Sequence, residues 1–411
     1  MLTLENITAA KHRFGRVVKD TPLQYSDRLS KKYGAEIYLK REDLQKVRSY
    51  KIRGAYNLIS SLSDTEKQSG VVCASAGNHA QGFALSCAEL KIQGVVYMPV
   101  TTPEQKVYKT HQFGGKYIKI VLIGDTFDEA LSAAKQYEQD MGAIFVHPFD
   151  DMRIITGQAT MGLEIYEKLP EPDMIICPIG GGGVISGIIT ARNVLGKTTE
   201  IIGVEPEGAA SMKKSLEKNE NTTLSKIDTF VDGASVARVG ENNYAICEAN
   251  NIEVISVPEN RVCSTILEFL REDGIVLEPA GAIESDALKS LSERIKGKKI
   301  IVIVSGGNLD FERLPEIKER SLRYEGKKRY YLVKFPQRPG ALKSFLEFLG
   351  PDDDIARFEY MKKSNRNTAP VMIGIEALGN QNFEAIEQNM QAGGFQFENI
   401  TNNDLYFNLL V

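Results

Sequence analysis

The chain of 411 residues contains no tryptophan, only four histidines and only five cysteines, and it carries no excess of positive charge. The cysteines, Cys73, Cys87, Cys177, Cys247 and Cys263, stand apart from one another, with no CxxC pair and no histidine at metal-binding spacing. This pattern argues against a disulfide scaffold, a zinc module or a metal hydrolase, and reads as reduced core residues. A Ser-His-Asp hydrolase is disfavoured by the lack of a GxSxG elbow. The net charge of -4 supplies no field to attract nucleic acid, and paired lysines such as Lys213-Lys214 read as solvated surface. No apolar run approaches the roughly 18 residues of a membrane span, and MLTLENITAAKHRFGRVV carries early charges where a signal segment would be continuously apolar. Neither nucleic acid nor membrane is expected as a partner, and a cytoplasmic location is the simplest expectation.

What is present is an ordinary globular balance, 42% hydrophobic and 25% charged, over a length that predicts two or three domains. From about residue 35 to 310, short β-branched runs alternate with helical stretches: EIYLK, GVVCAS, GVVYMPV, KYIKIVLIG, AIFVHP, MIICPIG, EIIGVEP, IEVISVP and KKIIVIVSGG. Nearly continuous apolar strands separated by helices predict an α/β fold of parallel sheets covered on both faces. Ligands in such folds bind beyond the carboxyl ends of the strands. After Leu314 the order becomes RYYLVKF, the helix GALKSFLEFLG, IARFEYMKK, APVMIGIEAL, a helix near Phe383 to Ala392, then FQFENI and LYFNLL as a last strand pair. That is the ferredoxin-like βαββαβ pattern of an α+β domain. The expected division is 1–324 and 325–411, with a smaller subdomain of roughly 52–155 inserted in the first.

The informative residues lie in loops at strand ends. After MIICP comes Ile179-Gly180-Gly181-Gly182-Gly183, followed by a helix. Four consecutive glycines cost backbone entropy, so the missing side chains must serve a purpose: amides converging on a phosphate, or a turn with close packing. The strand VVCA ends in Ser75-Ala76-Gly77-Asn78-His79, whose first helical amides suit a carboxylate, although Ser75 and Asn78 could equally be caps. The strand IIVIV ends in Ser305-Gly306-Gly307-Asn308, which presents a neutral hydroxyl to a ring nitrogen or closes a turn. In SYKIRGAYN, Lys51 stands between Arg48 and Arg53, either as a solvated basic face or as a reactive amine whose pKa is lowered by burial and by neighbouring cations. A phosphate cradle, an amide for a phenolic oxygen, a hydroxyl for a pyridine nitrogen and a reactive amine together are the parts that hold pyridoxal phosphate.

These four motifs, SYKIRGA, SAGNHAQG, GGGGVISG and SGGN, resemble those of the fold-type II pyridoxal-phosphate enzymes, and specifically the biosynthetic threonine dehydratases. The resemblance covers roughly residues 5 to 315 and implies two open, twisted, mostly parallel α/β subdomains. It implies Lys51 as the Schiff-base lysine and proton acceptor, Asn78 on the phenolic oxygen, Gly180, Gly181, Gly182 and Gly183 on the phosphate, and Ser305 at the ring nitrogen. Ser75, Gly77 and His79 would surround the substrate carboxylate. KRED (Lys40 to Asp43), HPFDD (His147 to Asp151), Asp232-Gly233-Ala234 and Glu278-Pro279-Ala280-Gly281 also look family-like without an assigned role. Serine racemases resemble this pattern but have a second serine where this chain has Ala76, which favours elimination over racemisation. Related enzymes bind a divalent cation through a segment resembling Glu205 to Ser211, but an aspartate of that set is Ser211 here, so no metal is expected.

The implied reaction is dehydration and deamination of L-threonine, with L-serine secondary, to 2-oxobutanoate and ammonia, the committed step toward isoleucine. Phe335-Pro336-Gln337-Arg338-Pro339-Gly340-Ala341-Leu342 resembles the strand-to-helix turn of ACT-like regulatory domains, with room for one such module. It implies an amino-acid effector, isoleucine as inhibitor with valine as its antagonist, and a homo-oligomer, dimer or tetramer. Two rival readings remain open at this level: a sister enzyme acting on serine or activated by a nucleotide, and a catalytically silent amino-acid sensor.

Overall fold

The computed structural model describes residues 2–360, 367–403 and 405–407. They form two compact units, one of residues up to Glu259 together with Phe269–Leu309, the other of Asn260–Glu268 together with the residues from Asp310 onward.

The first unit has, among its described residues, the strands β1 (Leu23–Tyr25), β2 (Glu36–Arg41), β3 (Val71–Ala74), β4 (Gly94–Met98), β5 (Ile118–Leu122), β6 (Ile144–Phe145), β7 (Met174–Pro178), β8 (Glu200–Pro206), β9 (Glu253–Val257) and β10 (Lys299–Val304). They make a six-stranded sheet in the order β1-β2-β10-β7-β8-β9 and a four-stranded sheet in the order β5-β4-β3-β6. Every pairing is parallel except β1 with β2. All nine apolar runs read from the sequence are strands, and their burial explains why: β3, β4 and β7 are buried at every position, as strands covered on both faces must be. β1 escaped notice because three residues are too few to show a period. Isoleucines of β7, β8 and β10 pack with Met161 and Ile165 of the helix Met152–Lys168 and with Ile185, Ile188 and Ile189 of the helix Gly183–Val194.

The helix Lys51–Ser60 is held between these layers by unusually close approaches. A side chain on Gly157 would begin 2.4 Å from the carbonyl oxygen of Arg53, and one on Gly82 would begin 3.1 Å from the amide nitrogen of Ile52. Small residues at these crossings let backbones touch. The same helix is tied down by charge. The Arg53 guanidinium is fully buried and meets Glu42 at 2.8 Å and Glu164 at 2.7 Å, with Thr160 Oγ1 accepting at 3.0 Å. Lys40 Nζ completes a neutral set of four charges by donating to Glu164 and to the carbonyl of Thr21.

The second unit contains β11 (Lys328–Pro336), β12 (Asp354–Tyr360), β13 (Thr368–Glu376) and β14 (Gln396–Asn399), with the helices Ala341–Leu346 and Asn380–Ala392 between them. The antiparallel order β12-β13-β11-β14 is the ferredoxin-like topology expected. Tyr331, Val333, Phe335, Phe345, Ile373 and Phe383 form its core. The expected final strand LYFNLL is corrected: Leu405–Phe407 are helical, because Asn403 Oδ1 accepts from the amides of Leu405 and Tyr406 at 3.1 and 3.4 Å and starts a helical turn. Residues 408–411, and 361–363 at the end of the IARFEYMKK run, lie outside the described residues.

Replacing Gly157 by Ala forces Cβ onto backbone that has no rotamer to yield, so the thermal midpoint of the first unit is expected to fall, by the equivalent of about 1–3 kcal/mol as in overpacked cores. Differential scanning calorimetry checks this; an unchanged midpoint would mean the helix crossing is slack.

Candidate active site

Lys51 opens its helix at the end of a stitched turn. Arg48 takes a left-handed φ of 58°, its carbonyl accepts from Gly307 N at 2.9 Å, and Tyr50 N donates to the Ser305 carbonyl at 3.1 Å. The segment before the lysine is thus bonded to the loop that ends β10. Lys51 Nζ donates to the Pro148 carbonyl at 3.1 Å and lies 5.4 Å from the Tyr50 ring centre. Burial lowers its pKa to about 8, opposed by the negative charge of Glu278. The neighbouring arginines do not contribute as expected from the sequence. Arg48 is exposed, and the Arg53 charge is taken up by Glu42 and Glu164, which hold its pKa above the usual range against the cost of burial.

The glycine loop lies between β7 and its helix, with Gly182 at φ 94° as the residue before the first helical turn. That conformation favours glycine, and it leaves the amides of the following turn without intrahelical acceptors. Each glycine also faces a close neighbour: added side chains would begin 3.0 Å from Ala234 Cα at Gly180, 2.2 Å from the Phe149 ring at Gly181, 2.7 Å from Asn243 Cβ at Gly182 and 3.2 Å from Phe149 at Gly183. Asn243 Nδ2 donates to the Gly181 carbonyl at 2.8 Å, fixing the loop from outside. Both uses of glycine considered from the sequence, an open helix start and close packing, therefore occur in one loop.

At the end of β3, Ser75 Oγ accepts from the amides of Gly77 and Ala80, both at 3.3 Å, and so caps the helix Asn78–Leu90. The amides of Asn78 and His79, in the first helical turn, have no intrahelical acceptor. The His79 ring is buried, with Nε2 at 2.9 Å from the Val146 carbonyl, and burial lowers its pKa to about 3, so it is neutral and anchored to the strand-end backbone. What His79 offers a ligand is its backbone amide. Asn78 reaches across to the other sheet: Nδ2 donates to Glu278 Oε1 at 2.6 Å, and Oδ1 accepts from Asn308 at 2.7 Å. Ser305 Oγ is buried and donates to the Ala280 carbonyl at 3.1 Å.

Three features were not assigned from the sequence. The HPFDD loop is shaped by His147, whose Nδ1 accepts from Asp150 N at 2.7 Å, and it supplies both the Lys51 acceptor and the ring over Gly181. Asn243 left no signal, being one asparagine among polar helix residues. Glu278 stood in a family-like motif, but only folding brings it to Asn78. Glu205 accepts from the amides of Met212 and Lys213 at 2.7 and 2.9 Å and caps the helix Ser211–Lys218.

The chemistry of this set suits pyridoxal phosphate. A side-chain-free cradle at a helix start can take a phosphate, a buried amine of lowered pKa can take an aldehyde, and an amide and a hydroxyl stand ready for ring substituents.

Comparison with known proteins agrees. Residues 16–306 match the family described as pyridoxal-phosphate dependent enzyme, and residues 319–410 match the C-terminal regulatory domain of threonine dehydratase. The chain is 47% identical to a biosynthetic L-threonine dehydratase of Halalkalibacterium halodurans, over 100% of this chain and 99% of that protein. It is 45% identical to that of Bacillus subtilis, over 100% and 98%. Among solved structures, the processed threonine deaminase isoform 2 of Solanum lycopersicum aligns with a TM-score of 0.73 at 38% identity, covering 78% of this chain and 94% of that one. Maize serine racemase aligns at 0.71 and 30%, covering 78% and 98%. The chain belongs to the pyridoxal-phosphate dependent enzymes, and within them to the biosynthetic threonine dehydratases that carry a C-terminal regulatory domain.

Proposed function

We propose that the protein dehydrates and deaminates L-threonine, and L-serine secondarily, to the corresponding 2-oxo acid and ammonia, on the path to isoleucine. The observation that carries this reading is the buried Lys51 amine, its pKa brought to about 8, donating to the Pro148 carbonyl in the loop after β6, while the amide of the preceding Tyr50 donates to the Ser305 carbonyl at the end of β10. When bound, pyridoxal phosphate supplies an aldehyde that condenses with amines and a ring that accepts electron density from the substrate α-carbon.

The residues divide the remaining work. Amides at the glycine loop would hold the phosphate, and the first-turn amides after Ser75 the substrate carboxylate. Asn78 would take the phenolic oxygen and Ser305 the ring nitrogen. Lys51 Nζ, neutral near pH 8, takes the α-proton. Water leaves across the Cα–Cβ bond; a second water then enters and ammonia departs, so the net products are 2-oxobutanoate and ammonia. Ala76 presents no hydroxyl that could return a proton from the opposite face, which supports elimination over racemisation.

The catalytic part, 1–324, works with a regulatory part, 325–411, that takes isoleucine as inhibitor and valine as its antagonist, in a cytoplasmic homo-oligomer, dimer or tetramer. The five described cysteines are all buried, which fits a reducing compartment. Among the described residues, no helix is long and apolar enough to cross a membrane.

Lys51→Ala is expected to lower kcat for 2-oxobutanoate formation by about 10²–10⁴-fold, the range of a lost general base; retained turnover would sink the assignment. The lowered pKa gives a second expectation. Only the neutral amine condenses with an aldehyde, so loading of cofactor-free protein with pyridoxal phosphate accelerates as pH rises and levels off above about 8; an ordinary lysine would keep climbing toward about 10.4. Stopped-flow absorbance separates the two. Saturating isoleucine is expected to weaken threonine use by roughly 5–150-fold, a coupling of about 1–3 kcal/mol. Equal activity with and without isoleucine would remove the regulatory claim.

A further inference from the structure

Asn78 is oriented by two side chains with no assigned role. We infer that Glu278 and Asn308 are positioning residues that lock the Asn78 carboxamide in one orientation and reserve one of its N–H groups for a ligand oxygen. This rests on the proposed reading in which Asn78 faces the cofactor's phenolic oxygen.

The hydrogen count carries the inference. A carboxamide offers two N–H donors and one carbonyl. Asn308 Nδ2 spends both of its hydrogens, one on the Val47 carbonyl at 2.8 Å and one on Asn78 Oδ1 at 2.7 Å. The orientation of Asn308 is thereby fixed, and it presents a donor to Asn78. On the other side Glu278 Oε1 presents an acceptor to Asn78 Nδ2 at 2.6 Å. Rotating the Asn78 carboxamide by half a turn would set N–H against N–H at Asn308 and carbonyl against carboxylate at Glu278. Both ends penalise the flip, so one orientation holds, and one hydrogen on Nδ2 is left uncommitted. Asn78 sits at the first position of the helix Asn78–Leu90, on the far sheet from Glu278 and Asn308, so the clamp also joins the ends of β3 and β10.

The glycines of SGGN follow from the same arrangement. A side chain on Gly306 would begin 1.8 Å from Glu278 Oε1, and one on Gly307 would begin 2.7 Å from the Val276 carbonyl. Glu278 N donates to the Gly306 carbonyl at 3.3 Å and holds the two loops in register. The first glycine thus makes room for the carboxylate that orients Asn78.

The experiment compares the full-length wild type with Asn308→Asp, Glu278→Ala and Glu278→Gln. Asn308→Asp leaves no N–H to donate and sets a carboxylate against Asn78 Oδ1. Glu278→Ala removes the acceptor, whereas Glu278→Gln keeps a carbonyl that can accept. Pyridoxal phosphate is titrated by fluorescence quenching, and near-visible absorption of the loaded protein is recorded. Because that band depends on the hydrogen bond at the phenolic oxygen, a merely structural role would not move it. Asn308→Asp and Glu278→Ala are expected to change the band and weaken the cofactor about 10-fold, or about 1.4 kcal/mol, with Glu278→Gln restoring both to within about threefold. Wild-type band and affinity in both Asn308→Asp and Glu278→Ala overturn the positioning role, as does a Glu278→Gln variant as impaired as Glu278→Ala. Borohydride trapping with peptide mass spectrometry distinguishes the failures: no label on Lys51 in the wild type sinks the cofactor reading, while label on Lys51 with unshifted bands in the variants sinks only the clamp. Should one variant fail to fold by circular dichroism, the other decides alone.

Discussion

The buried ion cluster around Arg53 is the constraint on which the rest depends. Lys40, Glu42, Arg53 and Glu164 are together neutral and almost wholly removed from water, and they join β2, the turn after it and the helices Lys51–Ser60 and Met152–Lys168. Removing one partner from such a set leaves a stranded charge, at a cost of about 3–5 kcal/mol. The helix that begins with Lys51 is therefore fixed two residues beyond that buried amine. This separates two cations that adjoin in sequence. Arg53 is spent on structure, and Lys51 loses proton affinity through burial, which the charge of Glu278 only partly opposes.

With that helix fixed, the site is assembled from chain segments hundreds of residues apart. β10 lies between β2 and β7, so the end of the six-stranded sheet brings Ser305 and the glycine loop to neighbouring strands. The four-stranded sheet contributes the helix start after β3, and Asn78 bridges the two. Parallel strands of one sheet point their carboxyl ends one way, which is why the loops after β7 and β10 emerge on the same edge. Polar groups there are satisfied by backbone of other loops: Ser305 by Ala280, His79 by Val146, Lys51 by Pro148. Such bonds hold each of these side chains in one orientation.

The regulatory unit obeys a different rule. Its strands are antiparallel and face a single aromatic core, with Phe335 packed against Phe345, Phe358 and Phe395. Arg329 and the Tyr331 hydroxyl, two residues apart on β11, both bond Glu387 of the helix Asn380–Ala392 at 2.9 and 2.8 Å. A helix tied to the central strand by a charged pair gives the unit a defined packing of its own.

Much of this was legible in the sequence. Strands buried on both faces must be continuously apolar, so the nine runs could be located by composition alone. Runs such as GGGG and SGGN declared themselves because glycine is costly without a steric reason. The βαββαβ order was readable from the same apolar runs, but its end was not: a local Asn403 cap turned an apolar LYF run into a helical turn. The role of Arg53 was not readable, since Glu42 and Glu164 lie 11 and 111 residues away. Nor were Phe149, Asn243 and the Glu278 contact with Asn78. Their functions are relations between distant segments, and composition and spacing record only neighbours along the chain. The sequence by itself determined the fold class and the loops and singled out Lys51; tertiary structure alone decided which of the basic neighbours of Lys51 is neutralised, and which side chains Asn78 meets, because burial and pairing exist only once the chain has closed on itself.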